Sequence, residues 1–198
     1  MSSNRLGRLY CGLVLFGVSL TLMLRADLGL GPWDVLHQGI SDRTGVSIGL
    51  IANLVAVAVL LLWIPLRQRP GLGTISNVIV VGLVTDATLA LTGPVHGLAA
   101  RIGLLVAGIV ANAVATGLYV GAGLGPGPRD GLMTGLAARG HSLRLVRTLI
   151  EMTVLGAGWL LGGTVGLGTL AYALAIGPLV GWFMPRLKPP VTVQKERS

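Results

Sequence analysis

Six apolar runs, each nearly free of charge and each long enough to cross a bilayer, follow one another along this chain: 9–24, 48–66, 74–91, 98–120, 143–162 and 168–184. A hydrocarbon core about 30 Å thick is spanned by roughly 20 residues of α-helix. Inside it, every backbone N–H and C=O must find its partner within the protein. Runs of this length and number are therefore met by a bundle of helices. Composition agrees: only 11% of residues are charged and mean hydropathy is +0.79, whereas a soluble domain carries about 25% charged residues. The expected fold class is an all-α membrane protein with six transmembrane helices.

The net charge of +8 does not point to nucleic acid, because the basic residues are not pooled into a patch. They recur between the apolar runs, as membrane topology requires. With the N-terminus in the cytoplasm, Arg5, Arg8, Arg67, Arg69, Arg129, Arg139, Arg144, Arg186, Lys188, Lys195 and Arg197 fall inside and only Arg25, Arg43 and Arg101 outside. Eleven against three puts both termini in the cytoplasm. Arg5 and Arg8 ahead of the first run would suit a signal peptide, but no small-x-small cleavage site follows, so that run reads as a retained span. The single cysteine, Cys11, excludes an intrachain disulfide.

The chain repeats itself. "GPWDVL" at Gly31 matches "GPRDGL" at Gly127, Ser47 matches Ser142, and "GLGT" at Gly71 recurs at Gly166, with offsets of 96, 95 and 95. Each half reads span, short helix, span, "GLGT", span. The short helices, 32–41 and 128–139, are re-entrant or interfacial. The expected domains are 1–95 and 96–185, followed by a basic cytoplasmic tail, 186–198, expected to be disordered. Three spans is an odd number, so the second copy sits upside down relative to the first. Many secondary transporters are built from inverted repeats of this kind.

The motif that opens each short helix has a physical reading. Pro32 and Pro128 suit the first helical position, whose N–H has no partner in any case. Gly29, Gly31, Gly125, Pro126 and Gly127 shape the turn that precedes it. Asp34 and Asp130 then stand at about the third helical position, where a carboxylate can accept from free N–H groups. The alternative is that the helix starts face a cavity, with Asp34 and His37 or Asp130 and Arg129 binding a substrate, proton or cation. The second copy reads as having "GP" inserted and Arg129 in place of Trp33.

Within the spans lie Asp86, Arg147 and Glu151. Such charges are costly in a bilayer and usually face the protein interior. Arg147 and Glu151 are four apart and can pair on one helix face. Asn112 is a further intramembrane polar group, more in keeping with interhelical hydrogen bonding, as are Asn53 and Asn77. The candidate substrate-binding set is thus Arg147, Glu151, Asp86, Asp34, His37, Asp130, Arg129 and Asn112. No nucleophile–base set, metal motif or phosphate loop is legible. No enzymatic activity, cofactor or metal is expected.

"GLGPWDVL", "GPRDGLMTGL" and above all "RTLIEMTVLGAGWLLGGTVGLGTLAYALAIGPLVGWF" resemble the YczE/YitT-type family of small bacterial integral membrane proteins. The resemblance covers nearly the whole chain. It implies a multi-pass protein of the bacterial cytoplasmic membrane with a duplicated domain. The repeat, with Arg147, Glu151 and Asp86 as a polar centre flanked by the two short helices, leads to the expectation of a secondary carrier for a small anionic or amphipathic solute. The alternatives are a ligand- or partner-binding membrane subunit that does not transport, and a membrane biogenesis or regulatory factor. The expected partners are the bilayer and a small-molecule or ion ligand, not nucleic acid, and a homodimer is compatible with the chain.

Overall fold

The computed structural model describes residues 3–187; most of the basic tail expected at 186–198 lies outside them. Eight helices follow in order: α1 Ser3–Ala26, α2 Pro32–Thr44, α3 Ile48–Leu66, α4 Leu72–Leu91, α5 Leu98–Gly121, α6 Pro128–Ala137, α7 Leu143–Leu160 and α8 Leu167–Leu187. There is no strand among the described residues. Five helices (α1, α3, α4, α5 and α8) are long and apolar enough to span a membrane. The run at 143–162 forms only the 18-residue α7, which carries Arg144, Arg147 and Glu151 and is the most amphipathic of the long helices. The chain is an all-helical, multi-pass membrane protein.

Local chemistry sets the helix ends. The Ser47 and Ser142 hydroxyls cap α3 and α7 by accepting from Leu50 N–H (3.4 Å) and Leu145 N–H (3.1 Å), as serine does at an N-cap. C-terminal carbonyls are met by arginines from other parts of the chain, the charge that complements that end of the helix dipole. Arg5 of α1 donates to Ala122 O (2.9 Å) and Gly123 O (3.0 Å) at the end of α5. Arg101 of α5 donates to the carbonyls of Ala26 (2.7 Å) and Asp27 at the end of α1. The two helices are thereby tied antiparallel at both ends. Arg43 caps α7 through Leu160 O and Leu161 O (2.9 Å each), and Arg139 caps α3 through Pro65 O (2.5 Å).

These ties come in matched pairs across the two halves, and so does the packing. The short α2 lies on α7 and the short α6 on α3, while α1 packs on α4 and α5 on α8. The loop before α2 pairs with the start of α8, Gly168 N–H donating to Leu28 O; the loop before α6 pairs with the start of α4, Gly73 N–H donating to Leu124 O, both at 2.7 Å. Glycine is required at two points here. Gly29 (φ 114°) and Gly125 (φ 125°) are in the left-handed region, and a Cβ on either would stand 2.7 Å from Thr169 Oγ1 or 2.8 Å from Thr74 Oγ1. Other side chains are excluded by both conformation and space.

That geometry corrects the motif's register. Gly29 and Gly125 are equivalent, as are the N-caps Gly31 (φ −64°, ψ 154°) and Gly127 (φ −64°, ψ 159°). "GLGPWD" therefore aligns on "GPGPRD" at 125–130 with no insertion, and Leu30 answers Pro126. The buried core falls into three clusters: Leu9, Leu13, Leu20 and Tyr119 around α1; Met23, Leu30, Val35 and Ile109; and Trp33, Val59, Trp63 and Leu132 under the short helices.

Candidate functional site

The first turns of α2 and α6 meet in the middle of the molecule. Each begins with Gly-Pro, so each projects the side chains of its second and third helical residues forward, ahead of its own backbone. From α2 these are Trp33 and Asp34; from α6, Arg129 and Asp130. They line a single cavity of about 460 Å³, shared with His37, Asn53, Asn77, Asn112, Tyr119, Arg147, Glu151 and Tyr172. This is an ordinary volume for a small-molecule site.

Its ionic framework links the halves. The Arg129 guanidinium lies 3.4 Å from Asp34 Oδ1 and stacks over the Trp33 ring at 5.2 Å. Asp34 Oδ1 is also 3.5 Å from His37 Nδ1, and both side chains are almost wholly buried. Arg147 Nε donates to Glu151 Oε1 at 2.9 Å along α7. Asp130, which is exposed, accepts from the Tyr119 hydroxyl at 3.0 Å and has no ion-pair partner among the described residues. Asn112 donates to Ser19 Oγ at 3.0 Å and accepts from the Tyr172 hydroxyl at 3.4 Å, joining α1, α5 and α8. The Trp33 indole N–H is buried with no acceptor, an unusual state for such a group.

Seven of the eight candidates from the sequence thus line one cavity. The eighth, Asp86, does not. Its carboxylate accepts from Ser47 Oγ (2.6 Å) and Gly49 N–H (2.8 Å), and so holds the start of α3 against α4. It replaces solvent for orphan donors at a helix start. The capping role read for Asp34 and Asp130 also fails: neither side chain accepts from its own helix N–H groups, because each is drawn to a partner across the cavity. Tyr119, Tyr172 and Trp33 were missed as site residues. Aromatic side chains in apolar runs carry no periodic or spacing signal that separates a cavity wall from a packed core.

A family model described as "Family of unknown function (DUF6198)" matches residues 3–185. An uncharacterized protein of Haemophilus influenzae is 42% identical over 87% of this chain and 79% of its own length. The uncharacterized membrane protein YczE of Bacillus subtilis is 32% identical over 89% of this chain and 84% of its own. The uncharacterized protein YyaS of the same organism is 26% identical over 88% and 89%. The resemblance to YczE read from the motifs therefore holds. No solved structure gives a significant match.

Proposed function

This chain belongs to the DUF6198 family, and on that premise we propose that it is a secondary carrier moving a small anionic or amphipathic solute across the bacterial cytoplasmic membrane. In this reading it has six spans, α7 being the polar one, in two inverted three-span halves with cytoplasmic termini. The short helices α2 and α6 are re-entrant. One observation carries the proposal: the first turns of both short helices converge on one cavity and are bridged there by Arg129 and Asp34 at 3.4 Å. A ligand in that cavity touches both halves at once, so rocking one half against the other would expose it to alternate sides.

The matched ties support the inversion. Arg5 and Arg101 are 96 residues apart, as are Arg43 and Arg139, and each pair caps equivalent helices at opposite ends of the α1–α5 and α3–α7 sets. The Arg147–Glu151 pair and the Asp34–His37–Arg129 cluster are the groups that would hold the solute. No bond-making step belongs to this proposal.

The test is counterflow in liposomes containing the purified chain, with a panel of labelled carboxylates, amines and amphiphiles. Accumulation of one solute class, lost in a Glu151→Gln variant that retains the wild-type melting temperature, is expected. Saturable binding without flux for any solute would overturn the carrier and leave a ligand-binding subunit.

A further inference from the structure

The two lateral seams of the molecule are not alike. Between α3 and α4 the seam is zipped. Gly82 packs so closely on α3 that a Cβ would overlap Asn53 Oδ1 and the Gly49 carbonyl oxygen. Asp86 binds Ser47 Oγ and Gly49 N–H just beside it. At an offset of 95 the equivalent positions are Gly177 for Gly82, Arg144 for Gly49, Thr148 for Asn53 and Gly181 for Asp86. The lock is absent from that set. A Cβ on Gly177 or Gly181 meets nothing within 4 Å, and α7 makes no extended contact with α8.

The central cavity reaches into this open seam. Arg147 and Glu151 on one side, and Ala173, Ile176, Gly177 and Val180 on the other, belong to the same cavity wall. Ala173 and Gly177 are exposed, and the Arg147 side chain is 54% exposed. The α8 side of the seam is thus apolar, and the α7 side carries the Arg147–Glu151 pair. The charge at the centre is unbalanced: Arg129 is matched by Asp34 and Arg147 by Glu151. Asp130 stands exposed with only the Tyr119 O–H as partner.

We infer that the open α7–α8 seam admits an amphiphile with an ammonium headgroup from the bilayer, its tail lying along α8 and its headgroup seated at Asp130. This deepens the carrier reading and rests on it. Charge complementarity selects the headgroup, since a cation there completes the third carboxylate. The apolar α8 side of the seam selects the tail.

The full chain in phosphatidylcholine nanodiscs provides the test. The probes are a dodecylamine and a dodecanoate, each with a photoreactive group on the tail. The amine is expected to label α8 between residues 173 and 180 in a saturable manner, competed by dodecylamine and not by dodecanoate. Asp130→Asn should raise half-saturation at least tenfold. Gly177→Leu projects into open space, so it should leave the melting temperature unchanged and abolish labelling. Equal labelling by the dodecanoate, indifference to Asp130→Asn, or crosslinks joining α8 to a second copy would each overturn the inference. If dodecylamine fails but soluble ethanolamine raises the melting temperature through Asp130, the seam is refuted and the cavity site stands. If neither binds and no solute flows in liposomes, the carrier reading falls as well.

Discussion

Adding one methyl group should have unequal effects at two equivalent glycines. Gly82 and Gly177 are 95 residues apart and both lie inside helices. Replacing a mid-helix glycine by alanine is favourable by about 0.5–1 kcal/mol, because alanine loses less backbone entropy. At Gly177 no neighbouring helix comes within 4 Å of the added methyl, but Pro178 follows and disfavours helical geometry in a preceding residue that carries a Cβ, so the two effects offset and Gly177→Ala should change stability by less than about 0.5 kcal/mol. At Gly82 the methyl overlaps the backbone oxygen of Gly49, an atom that cannot rotate away. Overpacking of this kind costs about 1–3 kcal/mol. Separating α3 from α4 would also lengthen the Asp86 bonds to Ser47 and Gly49, worth roughly 1 kcal/mol more. The net loss at Gly82 is therefore about 1–3 kcal/mol. At roughly 2–4 °C per kcal/mol for a chain of this size, the melting temperatures of the two variants should diverge by about 2–12 °C. Thermal unfolding of the purified protein in detergent, followed by tryptophan fluorescence, reads this directly. Similar shifts in the two variants, or stabilisation by Gly82→Ala, would refute the description of one zipped and one open seam.

Three other outcomes follow from the contacts around the cavity. Asp34→Asn removes the charge facing half-buried Arg129 and buried His37 and should cost about 2–3 kcal/mol. The Asp34→Asn/Arg129→Gln double variant should recover part of that, and strict additivity in the cycle would show that the pair does not interact. Asp130→Asn keeps an acceptor for the Tyr119 hydroxyl and should cost under about 1 kcal/mol while impairing uptake; equal stability losses at 34 and 130 would contradict the geometry. Asp86→Ala leaves Gly49 N–H without its acceptor and should lower stability by about 1–2 kcal/mol with solute binding unchanged, so loss of binding at constant melting temperature would return Asp86 to the site. Trp63, 2% exposed and donating from Nε1 to Pro128 O at 3.0 Å, supports the start of α6. Trp63→Ala should cost about 3–5 kcal/mol, and circular dichroism melts will check it.

Much of this protein is legible in one dimension. Apolar runs of bilayer length announce helices wherever they occur, because backbone groups in hydrocarbon leave no other solution. The 95–96 residue repeat announces matched parts. Proline and glycine at 29–32 and 125–128 announce where the short helices begin, since they constrain their own backbone before any partner arrives. Serine caps at 47 and 142 are local in the same sense. The arginines are a mixed case. Their distribution reads as a topology signal, yet Arg5, Arg43, Arg101 and Arg139 each also close the end of a distant helix, which only the packing reveals.

The site belongs to the tertiary structure. Asp34 and Arg129 are 95 residues apart and meet because α2 packs on α7, α6 packs on α3, and both short helices then point their first turns at the same place. Asp86 and Glu151 are both charges set within long apolar runs, and hydropathy cannot separate them. What separates them is that Asp86 faces Ser47 and the Gly49 N–H across a closed seam, while Glu151 faces a cavity beside an open one. A charge in a span must be matched by something, and the identity of that match is a property of neighbours in space. Sequence determined which residues had to be satisfied; only the packing decided which were satisfied within a closed seam and which were left facing a cavity.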